Sequence, residues 1–239
     1  RTIDSVLELD PENITLHTLT VKRSANLAGD AQKMLSRTVD EMNEHAFRCF
    51  DEAGYYCQHW LLDAQNMGVP QTRERVIFVC LRKDLAEPFL YQASFFDVKP
   101  YINMDFSEKK ITFGELATYD GEPISDFQLK YWKLKQEGDR SAADVIMRED
   151  GKLSCFNVVY VRDDLVHPCI CAKGLSNYIL QDRPIYTSYK EAPKISSFPM
   201  DYNFNGHSFC FVLGMCVPPV MIAQISQRIY EQWLSKINK

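Results

Sequence analysis

Positive charge is in short supply: 27 Lys and Arg face 32 Asp and Glu, a net charge of −5. Affinity for phosphates is largely electrostatic, so this total does not advertise a nucleic-acid binder. An acidic total still accommodates a local basic cleft, where recognition leans on a few placed cations and on backbone and hydroxyl donors. Metal-type Cys-x-x-Cys spacing is missing among the eight cysteines. Several sit in apolar stretches (Cys80, Cys210), so they read as reduced, buried thiols of a cytoplasmic protein, and no metal site is expected. No secretory leader is evident. The longest apolar run, Phe209 to Ala223, is broken by Pro218-Pro219. It reads as a strand and then a buried helix, not as a membrane span. The rest is ordinary soluble usage, 46% hydrophobic and 25% charged over 239 residues. That length supports one large core, or a core and a small second lobe.

The first hundred residues have an α/β pattern. Ile3 to Asp10 reads as a short strand ending in carboxylates, with Pro11 opening a helix through Leu19. An acid at the C-terminal end of a strand is how nucleotide-binding sheets hold a ribose, and Glu8 is so placed. An ordinary acidic strand end accounts for it equally well. Ala31 to Ala53 reads as a long amphipathic helix with Met34, Val39, Met42, Phe47 and Phe50 inward. Strands at Cys57–Leu61 and Val76–Leu81 follow. From about 100 to 165 short apolar runs alternate with Asp120-Gly121, Gly138-Asp139 and Asp150-Gly151. Only a stretch near Ser141–Arg148 keeps a helical period, which points to a small irregular lobe.

The most informative segment is Gly68-Val-Pro-Gln-Thr-Arg-Glu-Arg75, followed at once by the apolar strand Val76 to Cys80. In extended chain, Gln71, Arg73 and Arg75 fall on one face. A glutamine and two guanidiniums side by side make a poor core but a good cradle for an anionic or carbonyl-rich planar ligand.

These residues resemble the cytosine-5 DNA methyltransferase family, whose Gln-x-Arg-x-Arg motif follows a Gly-Val-Pro turn and precedes a buried strand. Phe50-Asp-Glu-Ala-Gly-Tyr55 and Leu61-Leu-Asp-Ala64 are similar to the segments before that motif. Lys190-Glu-Ala-Pro-Lys-Ile-Ser-Ser-Phe-Pro-Met-Asp-Tyr202 resembles the family's late Glu-Ala…Phe-Pro block. Gly214-Met-Cys-Val-Pro-Pro219 resembles its final Gly-Asn-Ser-Val-Pro-Pro block, with an apolar helix, Val220–Leu234, behind it. The order and separations are family-like.

The resemblance implies an α/β fold of the S-adenosylmethionine-dependent, Rossmann-like type, a mixed sheet with a small irregular target-recognition lobe. It divides the chain into part of a catalytic domain (1–99), a recognition lobe (100–190) and a C-terminal return (191–239). It implies methyl transfer from S-adenosylmethionine to C5 of a flipped cytosine in double-stranded DNA, in a restriction system or alone. By this likeness Arg75 supports the base carbonyl, with Arg73 and Gln71 organising the pocket. Glu8 and Leu9 hold the cofactor's ribose and adenine; Met215, Cys216 and Val217 line its amino-acid end. Met215 replaces the family's asparagine and cannot supply its amide donor, so contact there runs through main chain. In the lobe Lys152, Ser154 and Asn157 are candidate donors to phosphates or base edges, or simply turn residues. Localisation follows the DNA: cytoplasm or nucleoid, nucleus in a eukaryote.

His167-Pro-Cys-Ile-Cys-Ala-Lys-Gly174 contains a Pro-Cys pair, the mark of the family's nucleophile loop. Its order is wrong, because that loop lies upstream of the Gln-x-Arg-x-Arg motif. Cys169 and Cys171 instead occupy threonine-type positions of a segment that touches the DNA backbone, beside Lys173. No upstream Pro-Cys, Glu-Asn-Val or Gly-rich cofactor block is found. Such chemistry requires a thiolate and a glutamate on the extruded base. Either an omitted segment or complementary chain carries them, or the chain is a non-catalytic DNA-binding or partner subunit. RNA cytosine-5 methylation on the same fold is a further alternative.

Overall fold

The computed structural model describes residues 13–18, 44, 46–94, 97–152 and 158–237. Glu8, Leu9, Ser154, Asn157 and the first part of the 31–53 helix lie outside the described residues, as does the expected strand at 3–10. The described residues divide into two compact units. One comprises the described residues within 1–62, 74–105 and 227–239, the other those within 63–73 and 106–226.

In the first unit, strands β1 (Asn13–Thr18), β2 (Tyr55–Asp63) and β3 (Glu74–Arg82) form a sheet in the order β1-β3-β2. β1 runs antiparallel to β3, from Asn13 opposite Leu81 to Thr18 opposite Val76. Ile77 to Leu81, in the central strand, are 0–1% exposed, as an unbroken apolar run predicts. The helix expected through Leu19 is corrected: Asn13-Ile-Thr-Leu-His-Thr18 alternates apolar and polar residues, the two-residue period of a strand, and the chain follows it. Helix α1 (46–52) carries Phe50, fully buried, and ends before Gly54, whose φ of +87° suits glycine. A hairpin of β4 (Leu90–Ser94) and β5 (Asp97–Pro100) follows. Trp233, fully buried, donates its indole N–H to Tyr101 O at 2.7 Å.

The second unit is organised about a two-stranded parallel sheet, β6 (Val159–Val161) and β7 (Tyr178–Leu180). Alternation sends Tyr160 and Ile179 to one face, where Ile124, Tyr131, Val145, Ile146 and Val158 pack. Val161, Tyr178 and Leu180 point to the other, against Phe113, Ile170, Ile195, Phe198 and Leu213. Helices α2 (Asp126–Leu134) and α3 (Ala142–Asp150) cover the first face. α3 was anticipated; it starts at a Ser141–Asp144 capping box and stops at Gly151, φ +64°. α2 was not, although Ser125 caps it by accepting from Gln128 N. Helices α4 (Ala192–Ile195), α5 (Phe209–Met215) and α6 (Pro219–Ile229) complete the order. The strand expected at the start of the Phe209 run is therefore corrected. An uninterrupted apolar run has no period to distinguish strand from helix, and here the chain coils until Cys216-Val-Pro-Pro219 stops it.

Candidate functional site

Gln71 and Arg73 are 0% and 1% exposed. The expectation that such side chains form a poor core fails, because the protein supplies every acceptor they use. The turn before them is set by Gly68, whose φ of +75° caps the helical turn Ala64–Met67. Asp63 Oδ1 then accepts the Arg73 backbone N–H at 3.0 Å.

Arg73 spreads its guanidinium across segments far apart in sequence. Nη1 donates to Gln71 Oε1 (3.3 Å), Cys169 Sγ (3.1 Å) and Ile170 O (3.3 Å). Nη2 donates to Gly214 O (2.8 Å) and Cys216 O (2.6 Å). The last carbonyls of a helix have no partner within it and carry partial negative charge, so the end of α5 is a suitable seat for a buried cation. Among the described residues Nε of Arg73 is buried without a hydrogen-bond partner.

Gln71 makes the complementary set. Its Oε1 accepts from Ile170 N at 3.2 Å, and its Nε2 donates to Ser196 Oγ at 3.1 Å and Ile195 O at 3.4 Å. Ser197 Oγ accepts the Val220 N–H at the start of α6, at 3.2 Å. Gly214 permits a close backbone approach at this junction. A Cβ there would stand 2.2 Å from Ala172 N, so any side chain would push the end of α5 off the Cys171–Ala172 backbone. The Gly-Val-Pro-Gln-x-Arg turn, the Ser-Phe-Pro block, the Gly214–Pro219 block and the Cys169–Ala172 loop thus meet at one buried junction.

Other site residues have simple surroundings. Arg75, partly exposed, donates to its neighbour's carbonyl, Glu74 O, at 2.7 Å. Cys171 is exposed, its N–H held by Tyr178 Oη at 2.9 Å, and Lys173 is exposed beside Gly174, φ +107°. Lys152 is exposed just beyond α3. Met215 is 52% exposed, and the Cys216 N–H is spent on Val212 O at 2.9 Å.

Two buried polar residues of the second unit were not singled out from sequence. His167 is fully buried between the Phe113 and Tyr178 rings. Its Nδ1 faces Pro168 O at 2.6 Å, an acceptor only, so Nδ1 carries the proton and Nε2 accepts from Thr187 Oγ1 at 3.1 Å. Burial lowers its pKa to about 4. Glu191, also buried, accepts from Thr118 N, Tyr119 N, Thr118 Oγ1 and Ser188 N. In the sequence, Glu12-Asn13-Ile14 differs from the family's Glu-Asn-Val block by one methylene. Glu12 lies outside the described residues, and Asn13 begins β1.

A family model described as C-5 cytosine-specific DNA methylase matches residues 31–231. The type II methyltransferase M.FnuDI of Fusobacterium nucleatum is 44% identical over 59 residues, 25% of this chain and 17% of that protein. M.BsuRI of Bacillus subtilis is 37% identical over 65 residues, 27% of this chain and 15% of its own length. The matches thus span less than a fifth of either relative. The crystal structure of Spodoptera frugiperda DNMT2 superposes with a TM-score of 0.56 at 15% identity, covering 95% of this chain and 69% of that one. At that identity the likeness is one of fold, a mixed α/β methyltransferase fold.

Proposed function

Given that the chain belongs to the C-5 cytosine-specific DNA methylase family, we propose that the protein transfers a methyl group from S-adenosylmethionine to C5 of a flipped cytosine in double-stranded DNA. The observation that supports this reading is the junction at Arg73, which ties the Gln-x-Arg-x-Arg turn to both late motif blocks. In this reading Gln71 and Arg73 are positioning residues: their hydrogen bonds are spent inside the protein, and they fix the loops on either side. Arg75 is assigned to the base carbonyl, where a preorganised cation stabilises the charge that develops as the ring is attacked. Glu12 is assigned to the exocyclic amine and ring nitrogen.

S-adenosylmethionine supplies an electrophilic methyl group when bound. The described donor set fits its amino-acid end only in part. Met215 offers exposed apolar surface and the Cys216 carbonyl a second lone pair, but the Cys216 N–H is taken. Glu8 and Leu9 would hold the ribose and adenine. Lys152, Ser154 and Asn157 in the lobe at 100–190 would meet DNA, with Cys169, Cys171 and Lys173 along the backbone. Thiols are weak donors, which leaves Lys173 as the stronger phosphate contact of the three. The protein then works where DNA is, in the nucleoid or a nucleus.

A second reading has a specific observation behind it. The only Pro-Cys pair, Pro168-Cys169, comes after Gln71, and Cys169 Sγ faces the Arg73 guanidinium. A complementary chain or further segment must bring the attacking thiolate, or the protein serves as a non-catalytic DNA-binding subunit.

Incubation with labelled S-adenosylmethionine and either duplex DNA or RNA separates these readings. With the chain or segment that carries the thiolate supplied, label on DNA cytosines, reduced in Arg75→Ala by roughly 2–4 kcal/mol of transition-state stabilisation, is the expected result. Near-wild-type turnover in Arg75→Ala contradicts its assignment. DNA binding without transfer supports the subunit, and label on RNA alone moves the substrate.

A further inference from the structure

The β2–β3 hairpin holds a pair of thiols that the methyl-transfer reading does not use. Lys83 N donates to Gly54 O and Ala64 N to Arg73 O, so opposing residues are fixed along the antiparallel ladder and Cys57 faces Cys80. The bonded pairs 54 with 83 and 64 with 73 bracket the ladder, and in an antiparallel pair hydrogen-bonded positions alternate with non-hydrogen-bonded ones, which puts 57 opposite 80 in the non-hydrogen-bonded set. Cys57 and Cys80 therefore form a non-hydrogen-bonded pair, the register in which opposite Cα atoms stand about 4.5 Å apart, within the range a disulfide accepts. The Cys80 S–H donates to Cys57 Sγ at 3.0 Å.

The two thiols differ in access. Cys80 is fully buried, and its hydrogen bond to Cys57 together with burial keeps it protonated, its pKa pushed far up. Cys57 is partly exposed and lines a cavity of about 660 Å³, beside Tyr55, Tyr56, His59 and Tyr91. A small oxidant can reach Cys57, and the second sulfur already waits behind it.

We propose that Cys57 and Cys80 are a reversible dithiol–disulfide site, oxidised by a hydroperoxide that enters through this cavity. The Cys57 sulfur attacks a peroxide oxygen; the O–O bond breaks, and hydroxide leaves as water with the Cys57 proton. The Cys80 sulfur then attacks the sulfenic sulfur of Cys57. The S–O bond breaks, and that hydroxide leaves as a second water with the Cys80 proton. Two thiols lose two electrons in all, and one hydrogen peroxide becomes two waters. The resulting ring of residues 57–80 encloses Gln71 and Arg73 in sequence, so oxidation shortens the free chain on which the junction is built.

The test is to titrate the intact protein with hydrogen peroxide, alkylate with iodoacetamide and map the peptides by mass spectrometry. The expected product is a Cys57–Cys80 cross-linked peptide, formed while Cys49 and Cys210 still take the alkylating agent and reversed by dithiothreitol. Oxidation should also raise the unfolding midpoint by on the order of 5–10 °C, from the closed loop. The rise should vanish in Cys57→Ser, the variant at the more exposed position. Alkylation of both Cys57 and Cys80 at peroxide doses that oxidise other cysteines would overturn the proposal. So would separate over-oxidised forms at the two positions.

Discussion

The guanidinium of Arg73 meets no carboxylate; its acceptors are an amide, a thiol and three backbone carbonyls, 2 to 143 residues away in sequence. That of Arg148 grips both oxygens of Asp139 at 2.8 Å, with Glu149 and Leu134 O beside it, all within 14 residues. One is buried and joins three parts of the chain; the other is partly exposed and closes a local turn between α2 and α3. A buried cation without its partners is costly, because nothing else solvates the charge or the carbonyls. An exposed ion pair exchanges one set of solvating groups for another and gains little. The difference teaches where this fold is brittle.

The largest expected effect follows from that contrast. Arg73→Ala leaves the Ile170, Gly214 and Cys216 carbonyls without their donor and should lower unfolding stability by about 3–5 kcal/mol in urea titrations. A loss below 1 kcal/mol would put Arg73 in the same class as Arg148 and dissolve the comparison.

His167 sharpens it through pH. Its folded pKa, about 4, lies below its ordinary 6.5, so the unfolded chain binds the proton more readily than the native one. Stability from this group is complete above pH 6.5, is lost as pH falls towards 4, and loses no more below that. The integrated contribution is about 3 kcal/mol. His167→Gln should flatten that part of the stability-against-pH curve relative to wild type. Superimposable slopes would mean that His167 titrates normally in the native state.

The smallest effect belongs to Arg148→Ala. Thermal unfolding should shift far less than in Arg73→Ala, since Asp139 and Glu149 are freed towards solvent. A shift as large as that of Arg73→Ala would show that the α2–α3 turn is not a local device.

The same contrast explains what could be read from sequence. The β2–β3 strands and α3 were legible because their signals are local: an apolar run after a Gly-Val-Pro turn, and a Ser141–Asp144 cap three residues apart. β1 and α5 were misread. Pro11 outweighed the two-residue alternation of Asn13–Thr18, and the Phe209 run has no polar residue to mark a face. That Gln71 and Arg73 share a surrounding was foreseeable from their spacing, but their burial was not, because the acceptors arrive from residues 169–170, 195–196 and 214–216. Only the order of the motif blocks hinted that these segments belong together.

The central claim is that Arg73 holds the Cys169–Ala172 loop and the end of α5 as one body. Hydrogen–deuterium exchange of the intact protein, wild type against Arg73→Lys, tests it most directly, since lysine keeps the charge but not the fork. Peptides covering 168–173 and 214–217 should lose protection together, by on the order of tenfold or more, while 142–150 keeps its wild-type rate. Loss in only one of the two segments, or unchanged exchange in both, would contradict the account.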